Sequence, residues 1–333
     1  MDVSMTGLRD WRRLVLRVVA PVAVVAAVLA ACGGGTSQAV AYAPKRLVVL
    51  GDESSMIVDD GVHNGRKYSV NYLDSTGARS CGEAALFTQA VATRYGFVFA
   101  ECNTGGAPVS AVIRAKVGAK VADAVTGMAQ QIAEGALGPD DLVTVYFGTN
   151  DLVEIYELYA SNALTRAGAL AEAQSRGRAA ADQFNKLLAT GARALLFLAP
   201  ELGLSPYAIA KNAGDPGAKA LLSELTYQFN GHLRTNIDAQ KYDGRNYGLI
   251  ITDDIVSALV AAPSGSTLYL ASPYDVTTAE CVVALPNCTT AAADLVSGGL
   301  YNSHLWADDR RLGYPGHALL ANRAVSLLRS LPL

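Results

Sequence analysis

The sequence predicts an α/β fold of three layers, in which helices cover both faces of a central, mostly parallel sheet of five strands. Short apolar runs alternate along the chain with longer helical patterns, which indicates a parallel sheet covered on both faces. Each run is rich in Val, Leu, Ile or aromatic residues, as in buried strands. The run 46–51 breaks at Gly51-Asp52, which is typical of a strand that delivers a loop to the functional edge of an open sheet.

The predicted elements follow one another through most of the chain. Strands are expected at 46–51, 97–100, 141–147, 193–199 and 247–252. Helices are expected at 82–95, 118–135, 161–190, 217–239 and 316–329, with Gly191 and Gly316 marking two of their ends. Two stretches interrupt this alternation of strands and helices. Residues 55–80, with the turn signal Asn64-Gly65, are expected to form a loop or hairpin beside the functional edge. Residues 262–300 are expected to form an excursion of the chain over the surface.

Residues 1–31 are predicted to be a targeting segment. Four arginines precede the apolar stretch 18–31, which is too short to be a convincing membrane-spanning helix. Its end, Leu29-Ala30-Ala31-Cys32, resembles the lipobox of bacterial lipoproteins, in which the cysteine becomes the lipidated N-terminus after cleavage. The alternative is an ordinary secretory signal with a chance cysteine.

Lipidation of Cys32 would leave residues 32–44 as a flexible tether and residues 45–333 as the folded domain. Position 34 is glycine rather than the aspartate that usually retains lipoproteins in the inner membrane. We therefore expect an exported protein, attached to a membrane through its lipid anchor. In a host with two membranes it would be attached to the outer one, facing the periplasm or the cell surface.

The charge of the chain argues against a nucleic-acid partner. The whole sequence has a net charge of −3, and residues 1–31 carry four arginines against Asp2 and Asp10, so about −5 remains on the predicted domain. A mildly acidic domain without a basic patch is not expected to bind nucleic acid. No Cys/His pair has the spacing of metal ligands, and we expect neither a metal nor a cofactor.

Four cysteines follow Cys32, and an even number in an exported protein favours disulfides. Three pairings of Cys81, Cys102, Cys281 and Cys288 are open. We favour Cys81–Cys102, which would link the start of a predicted helix to the chain after the next strand, and Cys281–Cys288, which would close a short loop. The alternative is four small buried thiols.

Four short blocks occur in order along the domain. They are Gly51-Asp52-Glu53-Ser54, Asn103-Thr104-Gly105-Gly106, Gly148-Thr149-Asn150-Asp151, and the segment from Asp308 to Arg311, which is followed by Gly316-His317. In this order they resemble the blocks of the SGNH/GDSL hydrolases over nearly the whole of residues 45–333. The resemblance implies a flavodoxin-like, three-layer α/β fold and hydrolysis of carboxylic esters by an esterase or lipase mechanism.

The resemblance also implies a role for each matched position. Gly106 (or its neighbour Gly105) and Asn150 would form the oxyanion hole, and Asp308 would orient the catalytic base. Glu53, however, stands where the family has its nucleophilic serine, and Arg311 stands where it has the catalytic histidine. A guanidinium stays protonated and cannot accept the proton of a nucleophile. Both groups that exchange the proton are therefore replaced.

Other residues offer alternatives for these roles. Ser54 follows Glu53 directly and is a candidate displaced nucleophile, although serines at such turns commonly cap the following segment. Two of the four histidines of the chain could act as the base: His63 lies in a polar loop that could fold over the site, and His304 precedes the last block. His232 is expected to lie on a helix surface, and His317 is expected to be structural.

The two replacements predict an ion pair. In the fold of the family, Glu53 and Arg311 would converge where serine and histidine meet, and Asp308 would be near enough to share the guanidinium. The alternative is that both side chains point to solvent and never meet.

Two classes of function remain open at this stage. One is a catalytically impaired, lipid-anchored protein that keeps the hydrolase fold and binds a ligand or a partner. The other is an active esterase on acylated glycans, lipids or polyesters that uses Ser54. The ligand expected in either case is an ester, a glycan or a lipid.

Lipid attachment is the first testable prediction. Expression in a bacterium that processes lipoproteins should give a membrane-bound protein whose N-terminal peptide begins at Cys32 and carries acyl groups, detected by mass spectrometry. Cys32→Ala should abolish both the modification and the partitioning into detergent. An unmodified wild-type chain that begins at another residue would contradict the assignment.

Overall fold

The computed structural model describes residues 42–262 and 274–330. The predictions for the targeting segment and for Cys32 lie outside these residues. The described part contains nine strands: β1 Arg46–Gly51, β2 Ile57–Val58, β3 Arg66–Lys67, β4 Ala111–Ile113, β5 Asp141–Tyr146, β6 Arg193–Phe197, β7 Tyr247–Ile250, β8 Asp275–Ala279 and β9 His304–Trp306. Its eight α-helices are α1 Phe87–Tyr95, α2 Met128–Gly135, α3 Thr149–Ala160, α4 Arg166–Leu188, α5 Pro206–Asn212, α6 Ala218–Thr235, α7 Thr252–Ala261 and α8 Tyr314–Ser330.

The central sheet confirms the predicted fold class. Its five strands lie in the order β4-β1-β5-β6-β7, and every neighbouring pair is parallel. Parallel strands are joined by crossovers that place helices on the faces of the sheet, so both faces are covered. The carboxyl ends of β1 and β5 lie side by side, because Gly51 pairs with Tyr146.

The core is divided by the sheet into two apolar layers. Alternate residues of β1 face opposite sides: Val48 belongs to the apolar layer that includes residues of α2, α3, α4 and α6, whereas Val49 belongs to the layer that includes residues of α1, α7 and α8. Both valines are fully buried. A strand that is apolar on both faces therefore has two hydrophobic layers to fill, which explains the continuous Leu47–Leu50 run.

The second strand of the sheet is not the predicted one. The segment 97–100 contributes only a bridge from Phe99 to Ala111 before the chain turns at 100–102, and β4 takes the edge position beside β1. The amide N–H groups of Ser110 and Ala111 both bond to the Val98 carbonyl, at 3.0 Å each. These bonds tie the predicted segment to the start of the true strand, while β4 continues the pairing along β1.

Several helices differ from the predicted bounds. Of the helix predicted at 118–135, only 128–135 is helical, since 118–127 forms turns whose amides bind carboxylates. The helix predicted at 82–95 begins at Phe87. Helices α3, α5 and α7 were not predicted. The interruption at 55–80 includes the short antiparallel pair β2–β3, and the excursion at 262–300 includes β8, which pairs with β9.

The two favoured disulfides, Cys81–Cys102 and Cys281–Cys288, are both present. The first fastens the segment before α1 to the turn after Phe99. The second closes a loop within the excursion that precedes β9.

Gly148 sets the turn between β5 and α3, at the edge that carries the candidate site. Its φ is +121°, and a Cβ at this position would lie 2.7 Å from the Phe229 ring and 2.9 Å from the Ala199 methyl. Only glycine therefore allows α3 to begin this close to β6 and α6. The turn brings Asn150 to the site two residues later.

We expect Gly148→Ala to lower the free energy of unfolding by about 3 kcal/mol, because the substitution adds strain at positive φ to a steric clash. Gly231→Ala is the matched control, since this helical glycine has nothing within 4 Å of its added Cβ. The control should be neutral or stabilising by up to about 1 kcal/mol. Urea unfolding of both variants measures the difference; equal stabilities would contradict the packing argument.

Candidate functional site

The candidate site lies in the turn that follows β1. Gly51, with φ of +152°, is held by Gln131: its N–H donates to Oε1 at 2.8 Å and its carbonyl accepts from Nε2 at 2.9 Å. Asp52 then caps a short 3₁₀ turn at Glu53–Ser55, where its Oδ1 accepts the Ser54 N–H at 2.8 Å. All three turn residues are buried, so the sequence delivers the Glu53 carboxylate into the protein rather than into solvent.

Glu53, Arg311 and Asp308 converge as predicted. Arg311 Nε donates to Glu53 Oε1 at 3.0 Å, and a second guanidinium nitrogen bonds to the same oxygen. A third guanidinium nitrogen bonds to Asp308 Oδ2. Asp308 Oδ1 also accepts the Arg311 N–H at 2.7 Å, which fixes the backbone from which the guanidinium extends. The arginine therefore bridges two carboxylates.

The second oxygen of Glu53 is bound by two further donors. Gly118 donates its backbone N–H to Oε2 at 2.8 Å, and Asn150 donates from Nδ2 at 3.1 Å. A backbone amide and an asparagine amide directed at one oxygen are the donor types that stabilise an oxyanion in acyl transfer. The Glu53 carboxylate occupies these donors.

Gly118 replaces Gly106 in the predicted donor set. Gly106 lies in an exposed turn, where its N–H donates to the Asn103 carbonyl at 3.2 Å, and it is not directed at Glu53. Gly118 was missed because it was placed at the start of the helix predicted at 118–135. The sequence offered no direct signal for its role, because β4, the strand that precedes this turn, was not predicted either.

The charged groups of the cluster shift one another's pKa values. Burial alone would raise the pKa of the Glu53 carboxyl, but the Arg311 charge and the hydrogen bonds outweigh it and hold the pKa below its ordinary value. Burial would lower the pKa of Arg311, but Asp308 and Glu53 raise it further above its ordinary value. Both side chains are therefore charged at neutral pH. Tyr68, whose ring lies 5.7 Å from the Arg311 guanidinium carbon, has a pKa raised by burial and by Glu53.

The Asp52 carboxyl, next to Glu53 in the chain, has a raised pKa. It is 1% exposed, and burial together with the adjacent Glu53 charge raises its pKa to about 7. The hydrogen bond that the Ser54 N–H donates to Asp52 acts in the opposite direction. Ser54 is thus in contact with a carboxyl group that titrates near neutral pH, while its own side chain is buried in the turn.

None of the four histidines, all of which lie in the described part of the chain, is hydrogen-bonded to this cluster. His317 is fully buried, stacks on Phe87 and has a pKa lowered to about 3 by burial and by Lys67. His304 Nδ1 lies 2.9 Å from Ser303 Oγ, and burial lowers its pKa. His232 lies beside Arg178, and His63 is exposed with φ of +58°.

Residues 42–262 and 274–330 contain no group of three or more His, Cys, Asp and Glu side chains placed to hold a metal ion. None of the helices described there is long and apolar enough to cross a membrane.

Comparison with known proteins gives similarity only among solved structures; no family model and no curated protein matches the sequence. LAE5, an alpha/beta hydrolase from the metagenome of Lake Arreo, is 14% identical with a TM-score of 0.43 over 86% of this chain and 96% of its own. An acetyl xylan esterase of Geobacillus stearothermophilus is 14% identical with a TM-score of 0.41 over 85% and 94%. The extracellular lipase of Streptomyces rimosus is 15% identical with a TM-score of 0.38 over 83% and 99%.

Removal of the arginine tests the ion cluster. Arg311→Ala leaves Glu53 and Asp308 as unpaired carboxylates, one of them buried, so we expect a loss of about 3 kcal/mol in the free energy of unfolding at pH 7. Because the folded-state pKa of Glu53 is lowered, its stabilising effect is present above its ordinary pKa of 4.5 and is lost as the pH falls. The deficit of the variant should therefore shrink toward pH 4.

Arg310→Ala is the control for this experiment. Arg310 is the adjacent arginine, and its Nε bonds to Asp309 at 2.7 Å in a more exposed pair. We expect a loss of about 1 kcal/mol or less, with little dependence on pH. Denaturant unfolding at pH 7 and pH 4 distinguishes the two variants, and an Arg311→Ala deficit as small as that of the control would contradict a stabilising role for the cluster.

Proposed function

We propose that this chain is an exported, lipid-anchored protein with an ester-hydrolase fold that binds an ester, glycan or lipid ligand without hydrolysing it. The observation that supports the proposal is the position of the Glu53 carboxylate, which accepts hydrogen bonds from both Gly118 and Asn150. Those donors would have to bind the developing oxyanion of an ester, and a resident anion prevents it.

The proton chemistry supports the same conclusion. Acyl transfer by a serine requires a base that takes the hydroxyl proton and returns it to the leaving group. Arg311 stands at the position of that base, and its pKa is raised rather than lowered by its two carboxylate partners. A guanidinium in this environment donates hydrogen bonds and accepts no proton.

The rim of the site remains open enough to meet a ligand. The Arg311 and Asp308 side chains are 18% and 21% exposed, although Glu53 beneath them is 3% exposed. Tyr68 and Asn150 are also half-buried at this rim. A ligand on this surface would meet the Tyr68 ring and the Asn150 amide beside an ion cluster in which one guanidinium bridges two carboxylates.

A second candidate function is ester hydrolysis with Ser54 as the nucleophile. The observation that favours it is the position of Ser54 next to Asp52, which accepts the Ser54 N–H at 2.8 Å and whose pKa of about 7 gives it the basicity of a general base. Against it, Ser54 is only 5% exposed, and the nearby oxyanion donors are occupied by Glu53.

Ester turnover decides between the two candidates. The purified domain should not hydrolyse p-nitrophenyl acetate or butyrate above the rate of the same protein with Ser54→Ala. Glu53→Ser combined with Arg311→His restores the residue types of a serine hydrolase and frees Gly118 and Asn150, so we expect measurable turnover of at least about ten times the wild-type background. Ser55→Ala is the matched control for Ser54→Ala, since the Ser55 hydroxyl is buried without a hydrogen-bond partner.

Wild-type turnover that is abolished by Ser54→Ala and kept in Ser55→Ala would overturn the proposal in favour of the second candidate.

A further inference from the structure

The Glu53 carboxylate is bound in the manner of a captured ligand. One oxygen accepts from the Nε edge of the Arg311 guanidinium, and the other accepts from Gly118 and Asn150. These three groups come from three different parts of the chain: the last block, the turn after β4 and the start of α3. Each is independently anchored, because Arg311 is held by Asp308, Asn150 also donates to the Ala119 carbonyl at 3.3 Å, and Gly118 contributes backbone.

We infer that Gly118, Asn150 and Arg311 form a carboxylate-binding site that Glu53 occupies as an internal ligand, and that the site takes a small monocarboxylate from solution when this side chain is removed. The inference rests on the proposed function, since it concerns the ligand chemistry of the same site. A planar guanidinium edge opposite two amide donors matches the two oxygens of a carboxylate better than it matches a spherical anion.

The size of the ligand follows from the side chain that now fills the site. Glu53→Ala removes one methylene and one carboxylate, which together have the heavy atoms of acetate. Formate lacks the carbon that fills the methylene space, and propionate has one carbon more than a closed site can hold. Because Glu53 is 3% exposed in its side chain, little free volume surrounds it. We therefore expect the order acetate, then formate, then propionate.

The negative groups around the site limit its affinity. Asp308 shares the Arg311 guanidinium, and the Asp52 carboxyl is close enough to Glu53 to influence it electrostatically. An added anion thus meets the same repulsion as Glu53 without the advantage of being tethered. We expect a dissociation constant for acetate of about 1 mM in Glu53→Ala.

Thermal unfolding and calorimetric titration of the Glu53→Ala domain provide the test. Sodium acetate at about 100 mM should raise Tm by about 5 °C relative to sodium chloride at the same ionic strength, as expected for a ligand at about 100 times its dissociation constant. Wild-type protein, whose site is filled, should shift by less than about 1 °C. Glu53→Ala with Arg311→Met should lose the acetate shift, and Glu53→Ala with Asn150→Ala should bind acetate about ten times more weakly.

Glu154→Ala is the matched control. Like Glu53, Glu154 is a carboxylate paired with an arginine, Arg176; it is also paired with Lys120 and lies on a more open surface. The Glu154→Ala variant should show no acetate-specific shift. If Glu53→Ala does not fold, Glu53→Ser is titrated in the same way, and recovery of folded protein on refolding in acetate against chloride is measured for both.

Equal Tm values in acetate and chloride, or an acetate shift that persists in the Arg311→Met double variant, would overturn the inference. Its outcome is separable from that of the proposed function, because it depends on acetate binding to a variant without the Glu53 carboxylate, whereas the proposed function depends on ester turnover by the wild-type chain.

Discussion

The Glu53 carboxylate is the group around which the functional edge of this protein is organised. It is buried, and a buried carboxylate without partners would cost several kcal/mol. Its partners are the guanidinium of Arg311, the backbone N–H of Gly118 and the amide of Asn150. These groups follow different strands or lie near the end of the chain, so satisfying one side chain fixes the relative positions of segments that are distant in sequence. The turn after β4, the start of α3 and the last block are all held by this requirement.

The arrangement also disfavours the charged form of Asp52. Its Oδ1 is needed to cap the turn that carries Glu53, and this places a second carboxyl beside the first in a region from which water is excluded. Arg311 is committed to Glu53 and Asp308, and its lowering effect on Asp52 is smaller than the effects of burial and of Glu53. The pKa of Asp52 therefore rises to about 7 while that of Glu53 falls. The pKa values of two adjacent carboxyl groups are thus shifted in opposite directions, because the two groups have different partners.

The sequence predicts the parts of this structure that depend on local pattern and on register. The apolar run of β1 and the Gly-Asp break identify a buried strand and its functional end, and the positions of Glu53 and Arg311 in matched blocks predict their meeting. The prediction of a strand at 97–100 was wrong because the apolar residues of this segment pack beside the sheet. The short β4 instead pairs with β1. Gly118 was not predicted because its role depends on a turn that only the tertiary fold creates, and two other glycines at 105 and 106 matched the motif. The raised pKa of Asp52 depends on burial, which no motif encodes.

The Gly118 N–H and the Asn150 amide are donors of a kind that can bind either a permanent carboxylate or a developing oxyanion. Two amides that could stabilise a transient oxyanion instead bind a permanent carboxylate with similar geometry, since both ligands present a negatively charged oxygen. What separates the two cases is the residue at position 311. An imidazole there could take a proton and release it near neutral pH, whereas a guanidinium stays protonated in proteins. Glu53 requires that permanent charge, because a partner that lost its proton would leave a buried carboxylate unpaired. Glu53 and Arg311 are therefore physically coupled, because the guanidinium is the group that stabilises a buried carboxylate at position 53.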